Sequence, residues 1–223
     1  MIVALENWQS AREPAPLRAG QVHLWRAPLE PTAELSATLS PGEWLRASRL
    51  HFERDRARFI ATRGLLRTIL AHYADTDAAA LKFAAGAHGK PELDGPVTSL
   101  RFNLSHSDDL MLLAVTHVRE IGVDLEFMRA NLPFETLADH YFDPEEAWDL
   151  RLLPPAQRAW KFYDTWTCTE ARLKASGTGL ANGFQVIEPD RWSLLKLTPA
   201  VGYTAALAVE GGDFQLECWS WPK

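Results

Sequence analysis

The 223-residue chain holds only two cysteines, Cys168 and Cys218. Two thiols cannot build a multi-disulfide scaffold, and with no secretion signal they read as reduced thiols of a cytoplasmic protein. Long apolar runs are missing too. The stretch Met1 to Leu5 is too short for the apolar region of a signal peptide, and Leu110 to Val115, the longest strongly apolar run, falls far short of a membrane span. Positive charge is in the minority: 23 Lys and Arg against 29 Asp and Glu leave a net charge of −6. That balance argues against a protein that wraps nucleic acid through its overall field. Apolar residues, at 47% of the chain, and nine tryptophans are plentiful, enough for one large domain or two small packed ones.

Local patterns divide the chain into an ordered series of elements. Residues 1–20 carry Pro14, Pro16 and Gly20 without a period and read as a loose arm. Val22 to Trp25 alternates and reads as a strand. Ser40-Pro41-Gly42-Glu43 combines an N-cap serine, a proline at the first helical position and an acid two residues on, and a helical region follows to about His72, with a break near Leu50–Phe52. Leu81 to Phe83 and Phe102 to Leu104 read as extended pieces, with a turn-rich loop from Gly86 to Pro96 between them. Leu110–Thr116 and Glu120–Met128 are predicted strands joined by a polar turn. Asp143-Pro144-Glu145-Glu146 repeats the cap, proline and acid signature, and a second long helix is expected from about Ala156 to Ser176, ended by Gly177. The runs Gly202–Val209 and Phe214–Trp219 alternate and suggest an antiparallel hairpin around Gly211-Gly212.

The two halves echo one another. A shift of 103 residues superposes Pro41 on Pro144, Glu43 on Glu146, Leu50 on Leu153, Phe59 on Phe162, Thr62 on Thr165 and Leu70 on Leu173. The pattern predicts a duplicated α/β unit.

Five segments carry residues suited to chemistry. Arg46, Arg49, Arg54, Arg56, Arg58, Arg63 and Arg67 form a cationic island in an acidic chain. Guanidinium forks match phosphate oxygens, although a solvated helix whose long side chains lie along its apolar stripe would look the same. Gly89-Lys90-Pro91 presents one ammonium from a turn that proline keeps extended; it is no Walker A loop. Asn103-Leu104-Ser105-His106-Ser107 is no nucleophile elbow, and Ser105 and His106 suit phosphate or ribose contacts, or simply a polar turn. Gly122-Val123-Asp124-Leu125-Glu126 puts two carboxylates on one face of an apolar strand, where burial is costly without a cation between them, and leaves Leu125 to pack on the other face. In the second long helix Glu170 and Lys174 stand one turn apart, by default an ordinary helical ion pair, otherwise a third carboxylate and a phosphate contact.

In this order and spacing the five segments resemble the 4′-phosphopantetheinyl transferases of the surfactin-synthetase type, over about Leu39 to Leu180. The resemblance implies an α/β (α+β) fold of two similar pseudo-symmetric halves, 1–118 and 119–223, each a small, mainly antiparallel sheet packed on a long helix, with the active site between them. It implies transfer of the phosphopantetheine arm of coenzyme A to a serine of an apo acyl or peptidyl carrier protein, releasing adenosine 3′,5′-bisphosphate. Carried over by position, Asp124, Glu126 and Glu170 are the implied ligands of Mg²⁺, with Mn²⁺ as an alternative ion. Arg46, Arg58, Lys90, Pro91, Ser105, His106 and Lys174 are the implied coenzyme A contacts, with His106 near the 3′-phosphate, and Glu170 and Lys174 are the implied catalytic pair. A site made by one chain implies a monomer, with neither membrane nor nucleic acid as partner.

One position departs from the family pattern. Where the family commonly has a lysine before the helix glutamate, this chain has Thr169, which removes a cation from the phosphate environment. Thr169 motivates a competing reading, a weakened module that binds coenzyme A or a carrier without turnover. The retained Asp124, Glu126, Glu170 and Lys174 speak against it. A nucleic-acid binder built on the arginine island is disfavoured by the acidic remainder and the lack of interleaved aromatics. The segment Phe134–Phe142 is the candidate surface for a carrier helix, unless its apolar residues only pack.

Overall fold

The strand Leu110–His117 is buried on both faces, which requires a layer on each side of its sheet. Met111, Leu113 and Val115 join one core, while Leu112 and Ala114 join another. The computed structural model, which describes residues 7–86, 89–95, 99–178 and 189–222, shows what those layers are. The strands are β1 (Gln9–Ser10), β2 (Gln21–Pro28), β3 (Lys82–Ala85), β4 (Pro91–Asp94), β5 (Leu100–Ser107), β6 (Leu110–His117), β7 (Ile121–Phe127), β8 (Trp192–Leu197), β9 (Tyr203–Glu210) and β10 (Gln215–Ser220). The helices are α1 (Ala33–Ala37), α2 (Pro41–Ser48), α3 (Glu53–Ala74), α4 (Phe134–Tyr141), α5 (Pro144–Leu152) and α6 (Pro155–Ser176).

Strands run β1-β10-β2-β6-β5 in a five-stranded sheet and β7-β9-β8 in a three-stranded one. Helix α3 covers the first sheet through Leu65, Leu66, Ile69 and Leu70. The two sheets face each other through Val22, Leu24, Leu112, Val123, Leu125 and Leu207. Helix α6 covers the second sheet through Cys168, Ala171 and Ala175 against Ala206 and Ala208. The order is therefore helix, sheet, sheet, helix, the mixed α/β architecture expected of two related halves.

The echo of 103 residues has a structural counterpart. A short helix opened by proline precedes a 22-residue helix in each half, α2 before α3 and α5 before α6. Ser40 and Glu43 form a reciprocal capping box on α2, and Asp143 caps α5 through Glu145 N and Glu146 N. Both long helices end on a left-handed residue, Asp75 at φ 48° and Gly177 at φ 70°.

Four sequence expectations need correction. The runs at Gly202–Val209 and Phe214–Trp219 do not form a hairpin: β9 pairs antiparallel with β7 and β8, whereas β10 enters the first sheet, parallel to both β2 and β1. Alternation predicts which face a residue occupies and leaves its partner strand open; Cys218 faces the inter-sheet core and Trp219 the α3 core. The last strand of the chain thus completes the first half's sheet. The loop from Gly86 to Pro96 contains β4, paired with β3 from Lys82–Asp94 to Ala85–Pro91, while residues 87–88 and 96–98 lie outside the described residues, as does the apolar run at 1–5. The arm is anchored in part, since Gln9 and Ser10 pair with Trp219 and Ser220. In the segment from Phe134 to Phe142, Phe134, Ala138 and Phe142 are core residues packed with Phe162 and Tyr163, so they do not form an open apolar surface.

A buried polar trio joins β2 to α3. Trp25 Nε1 donates to the Tyr73 hydroxyl (2.8 Å), which lies 2.9 Å from His23 Nδ1, and the Glu217 carboxylate stands 3.4 Å from His23 Nε2. Burial lowers the His23 pKa to about 4, whereas histidine in an unfolded chain titrates near 6.5. The unfolded chain therefore binds this proton first, and stability falls as pH drops from 6.5 towards 4, by about 3 kcal/mol in total. Urea unfolding at intervals between pH 7 and 5 should show the decline, and His23→Gln should flatten it; an unchanged slope in the variant would assign the acid sensitivity elsewhere. Among the described residues no helix is long and apolar enough to cross a membrane.

Candidate active site

The site is built where α6 lies on β7, and glycine makes the approach close. A Cβ on Gly122 would stand 2.1 Å from Ala171 O and 2.4 Å from Ala175 N, so the helix backbone rests directly on the strand. The period of two along β7 turns Ile121, Val123 and Leu125 into the inter-sheet core and leaves Gly122, Asp124 and Glu126 on the other face. Leu125 only packs, as its position in the strand predicts. Lys174, in the last turn of α6, reaches across to that face.

Asp124 is buried, and its Oδ1 accepts from Lys174 Nζ (2.6 Å) and from Ser105 Oγ (3.0 Å). Lys174 Nζ also donates to Ser105 Oγ (3.0 Å), and Ser107 Oγ donates to Glu126 Oε2 (2.9 Å). Two buried carboxylate oxygens, Asp124 Oδ2 and Glu170 Oε1, have no hydrogen-bond partner among the described residues. Burial, then the Asp124 charge, raises the Glu126 pKa above the ordinary carboxylate value. Burial raises Glu170 too, with the Asp124 and Glu126 charges adding to the effect and Lys174 offsetting part of it. The three acids of the sequence motif are thus within electrostatic reach of one another, under-compensated and partly unsatisfied. Hard, unpaired carboxylate oxygens of this kind fit an oxygen-seeking divalent cation. Among the described residues no three His, Cys, Asp or Glu side chains are gathered so as to hold a metal ion, and Lys174 supplies the cation beside Asp124.

Three clefts adjoin one another here, one lined by Glu170 and another by Glu126. One, of about 260 Å³, is lined by Lys90, Pro91, Leu104, Glu170 and Lys174. A second, of about 600 Å³, shares Leu104 with it and is lined by Arg58, Thr62, Arg63, His106 and Asp108. A third, of about 400 Å³, meets the second at Ser107 and holds Glu126 and Arg129 beside Tyr141, Phe162 and Trp166. Desolvation, then the Lys174 and Arg58 charges, hold the His106 pKa below the ordinary histidine value.

The implied phosphate contacts fall into different groups. Arg58 sits in the large cleft, bound to Asp108 and, through Nε at 2.9 Å, to Asp109, which Arg54 also contacts. Arg46 is exposed on α2. Lys90 and Pro91 line the small cleft, yet the Lys90 ammonium turns inward to Glu120 Oε2 (2.9 Å) and Ile121 O (3.1 Å). Ser105 likewise points into the protein, where it serves Asp124 and Lys174. The arginine island is largely spoken for within the fold: Arg63 and the buried Arg67 both bind Glu43, at 2.6 and 2.7 Å, and Arg56 donates to Leu50 O. Glu43, Asp108 and Asp109 were not legible as partners, because each lies 20 to 55 residues from its arginine. Thr169 donates to Thr165 O (3.0 Å), a helix-internal bond that carries no charge to the site. Arg172 does not replace the missing lysine, since it stands among Glu146, Cys168 and Lys196 on another side of α6.

A family model described as 4′-phosphopantetheinyl transferase superfamily matches residues 120–216, and one described as 4′-phosphopantetheinyl transferase, N-terminal, matches residues 23–118. The 4′-phosphopantetheinyl transferase HetI of Nostoc sp. is 41% identical over 221 residues, covering 91% of this chain and 93% of the relative. A phosphopantetheinyl transferase of Thraustochytrium sp. is 34% identical over 69% of this chain and 57% of its own length. The 4′-phosphopantetheinyl transferase AcpT of Escherichia coli K12 is 31% identical over 60% of this chain and 64% of the relative.

Proposed function

The chain belongs to the 4′-phosphopantetheinyl transferase superfamily and is an enzyme of that class, and from this premise we propose that it transfers the 4′-phosphopantetheine arm of coenzyme A to a serine of an apo acyl or peptidyl carrier domain, with Mg²⁺, releasing adenosine 3′,5′-bisphosphate. The observation that carries the mechanism is the pair of buried, unpartnered oxygens, Asp124 Oδ2 and Glu170 Oε1, beside Lys174. Asp124, Glu126 and Glu170 are the residues that would hold the cation. When bound, Mg²⁺ neutralises pyrophosphate charge and polarises the phosphorus under attack.

The chain's own residues supply the rest. The serine oxygen forms a bond to the β-phosphorus of coenzyme A as the bond from that phosphorus to the bridging oxygen breaks, and the electron pair leaves with the bisphosphate. Glu170 takes the serine proton as general base. Lys174 stabilises the departing phosphate, and His106, Arg58 and Arg46 receive the 3′-phosphate side of the nucleotide. Little covalent work is asked of the protein beyond placement and charge. The halves act as 1–118 and 119–223 with the last strand inserted into the first sheet; the enzyme works as a monomer, since one chain supplies both walls of the site, and the two unpaired thiols, Cys168 and Cys218, favour the cytoplasm.

Chromatography of the product tests the reading. Incubation with coenzyme A, Mg²⁺ and an apo carrier domain should release one adenosine 3′,5′-bisphosphate per carrier modified, and EDTA should stop release. Hydrolysis of coenzyme A without carrier modification would contradict it.

A further inference from the structure

The edge strands β5 and β7 belong to different sheets yet run side by side, and their contact has an unusual chemistry. Asn103, Ser105 and Ser107 place their side chains where a neighbouring strand would place carbonyl groups. Val123 N donates to Asn103 Oδ1 (2.8 Å), Leu125 N to Ser105 Oγ (3.3 Å) and Phe127 N to Ser107 Oγ (3.0 Å). The offset is 20 residues at every rung, so two period-two rows interlock, and the free edge of β7 is satisfied by side chains of the other half.

Two rungs do a second job. A serine hydroxyl has one proton and can accept two hydrogen bonds. Ser105 spends its proton on Asp124 and accepts from Leu125 N and Lys174 Nζ. Ser107 spends its proton on Glu126 and accepts from Phe127 N. Asn103 makes the same backbone bond, and among the described residues it has no carboxylate partner. Each acid is therefore tied through one hydroxyl to the main chain of the residue that follows it, and that tie crosses the seam between the halves.

We propose that Ser107 is a positioning residue for the metal site: it orients Glu126 for a divalent cation and makes that orientation depend on the register of the two halves. This rests on the Mg²⁺-dependent reading above. Outer hydrogen bonds to ligating carboxylates commonly alter metal affinity about 10- to 100-fold. Asn103 is the internal control, a rung of the seam without a tethered acid.

The test is Mn²⁺ binding to the full chain in the presence of coenzyme A, followed by electron paramagnetic resonance of the free ion, with thermal melts of every variant. Ser107→Ala should weaken Mn²⁺ binding about 10-fold with a small fall in Tm, and Ser107→Thr, which keeps the hydroxyl, should restore it. Asn103→Ala should lower Tm while binding Mn²⁺ as the wild type does. In transfer assays Ser107→Ala should raise the Mg²⁺ concentration needed for half-maximal rate and leave the KM for carrier unchanged. Wild-type Mn²⁺ affinity in folded Ser107→Ala overturns the proposal, as does equal weakening by Asn103→Ala, which would make the seam structural only. A wild-type chain that neither binds Mn²⁺ nor transfers overturns the underlying function and this inference with it.

Discussion

Gly122→Ala is expected to destabilise the fold by about 3 kcal/mol or more and to reduce transfer by at least about 100-fold. The added methyl meets backbone on both sides, Ala171 O at 2.1 Å and Ala175 N at 2.4 Å, and neither can turn aside as a side-chain end would. The helix must lift from the strand. Lys174 and Glu170 ride on that helix, whereas Asp124 and Glu126 ride on the strand, so the displacement separates the two halves of the constellation directly. A shift of about 1 Å in catalytic geometry is enough for the loss in rate. Urea unfolding and steady-state kinetics on the same preparation check both parts. A variant with wild-type midpoint and wild-type rate would mean that α6 can reseat without consequence, and the close approach would lose its role.

Glu170→Gln should have the opposite profile: transfer falls by about 100- to 10,000-fold, while stability is kept or slightly raised. Glutamine fills the same volume but cannot take a proton. It also removes a charge that the fold tolerates poorly, since burial and the Asp124 and Glu126 charges all disfavour ionised Glu170, and only Lys174 favours it. A lowered Tm would indicate that the carboxylate holds the fold together, and near-normal turnover would remove Glu170 from the chemistry. The contrast between the two variants separates architecture from catalysis.

Much of this is legible in the sequence. Alternation along residues 121–127 places Asp124 and Glu126 together and Leu125 away from them, because a strand has no other way to dispose of its side chains. The capped starts at Ser40 and Asp143 are legible because capping is local. What escaped is non-local. The alternation of Phe214–Trp219 identifies a strand and carries no trace of its parallel insertion between β1 and β2. The arginine island is visible as charge, but its neutralisation by Glu43, Asp108 and Asp109 depends on a fold that brings distant segments together. The same holds for Lys90 and Ser105, whose motifs suggest ligand contacts and whose side chains face inward. Gly122 reads as one more small residue in a strand until the helix above it is known. The rows Asn103, Ser105, Ser107 and Val123, Leu125, Phe127 share a period; the bonds between side chain and main chain are written in neither.

The central claim is that three carboxylates and a lysine, brought together by the close packing of α6 on β7, transfer phosphopantetheine to a carrier serine. Intact-mass measurement of an apo carrier domain tests it most directly, after incubation with coenzyme A and Mg²⁺ and either the wild-type chain or Glu170→Gln at matched Tm. The account predicts a carrier heavier by one phosphopantetheine with the wild type, no gain when EDTA is present, and almost none with the variant. An unmodified carrier in the wild-type sample, or equal modification by Glu170→Gln, would contradict it.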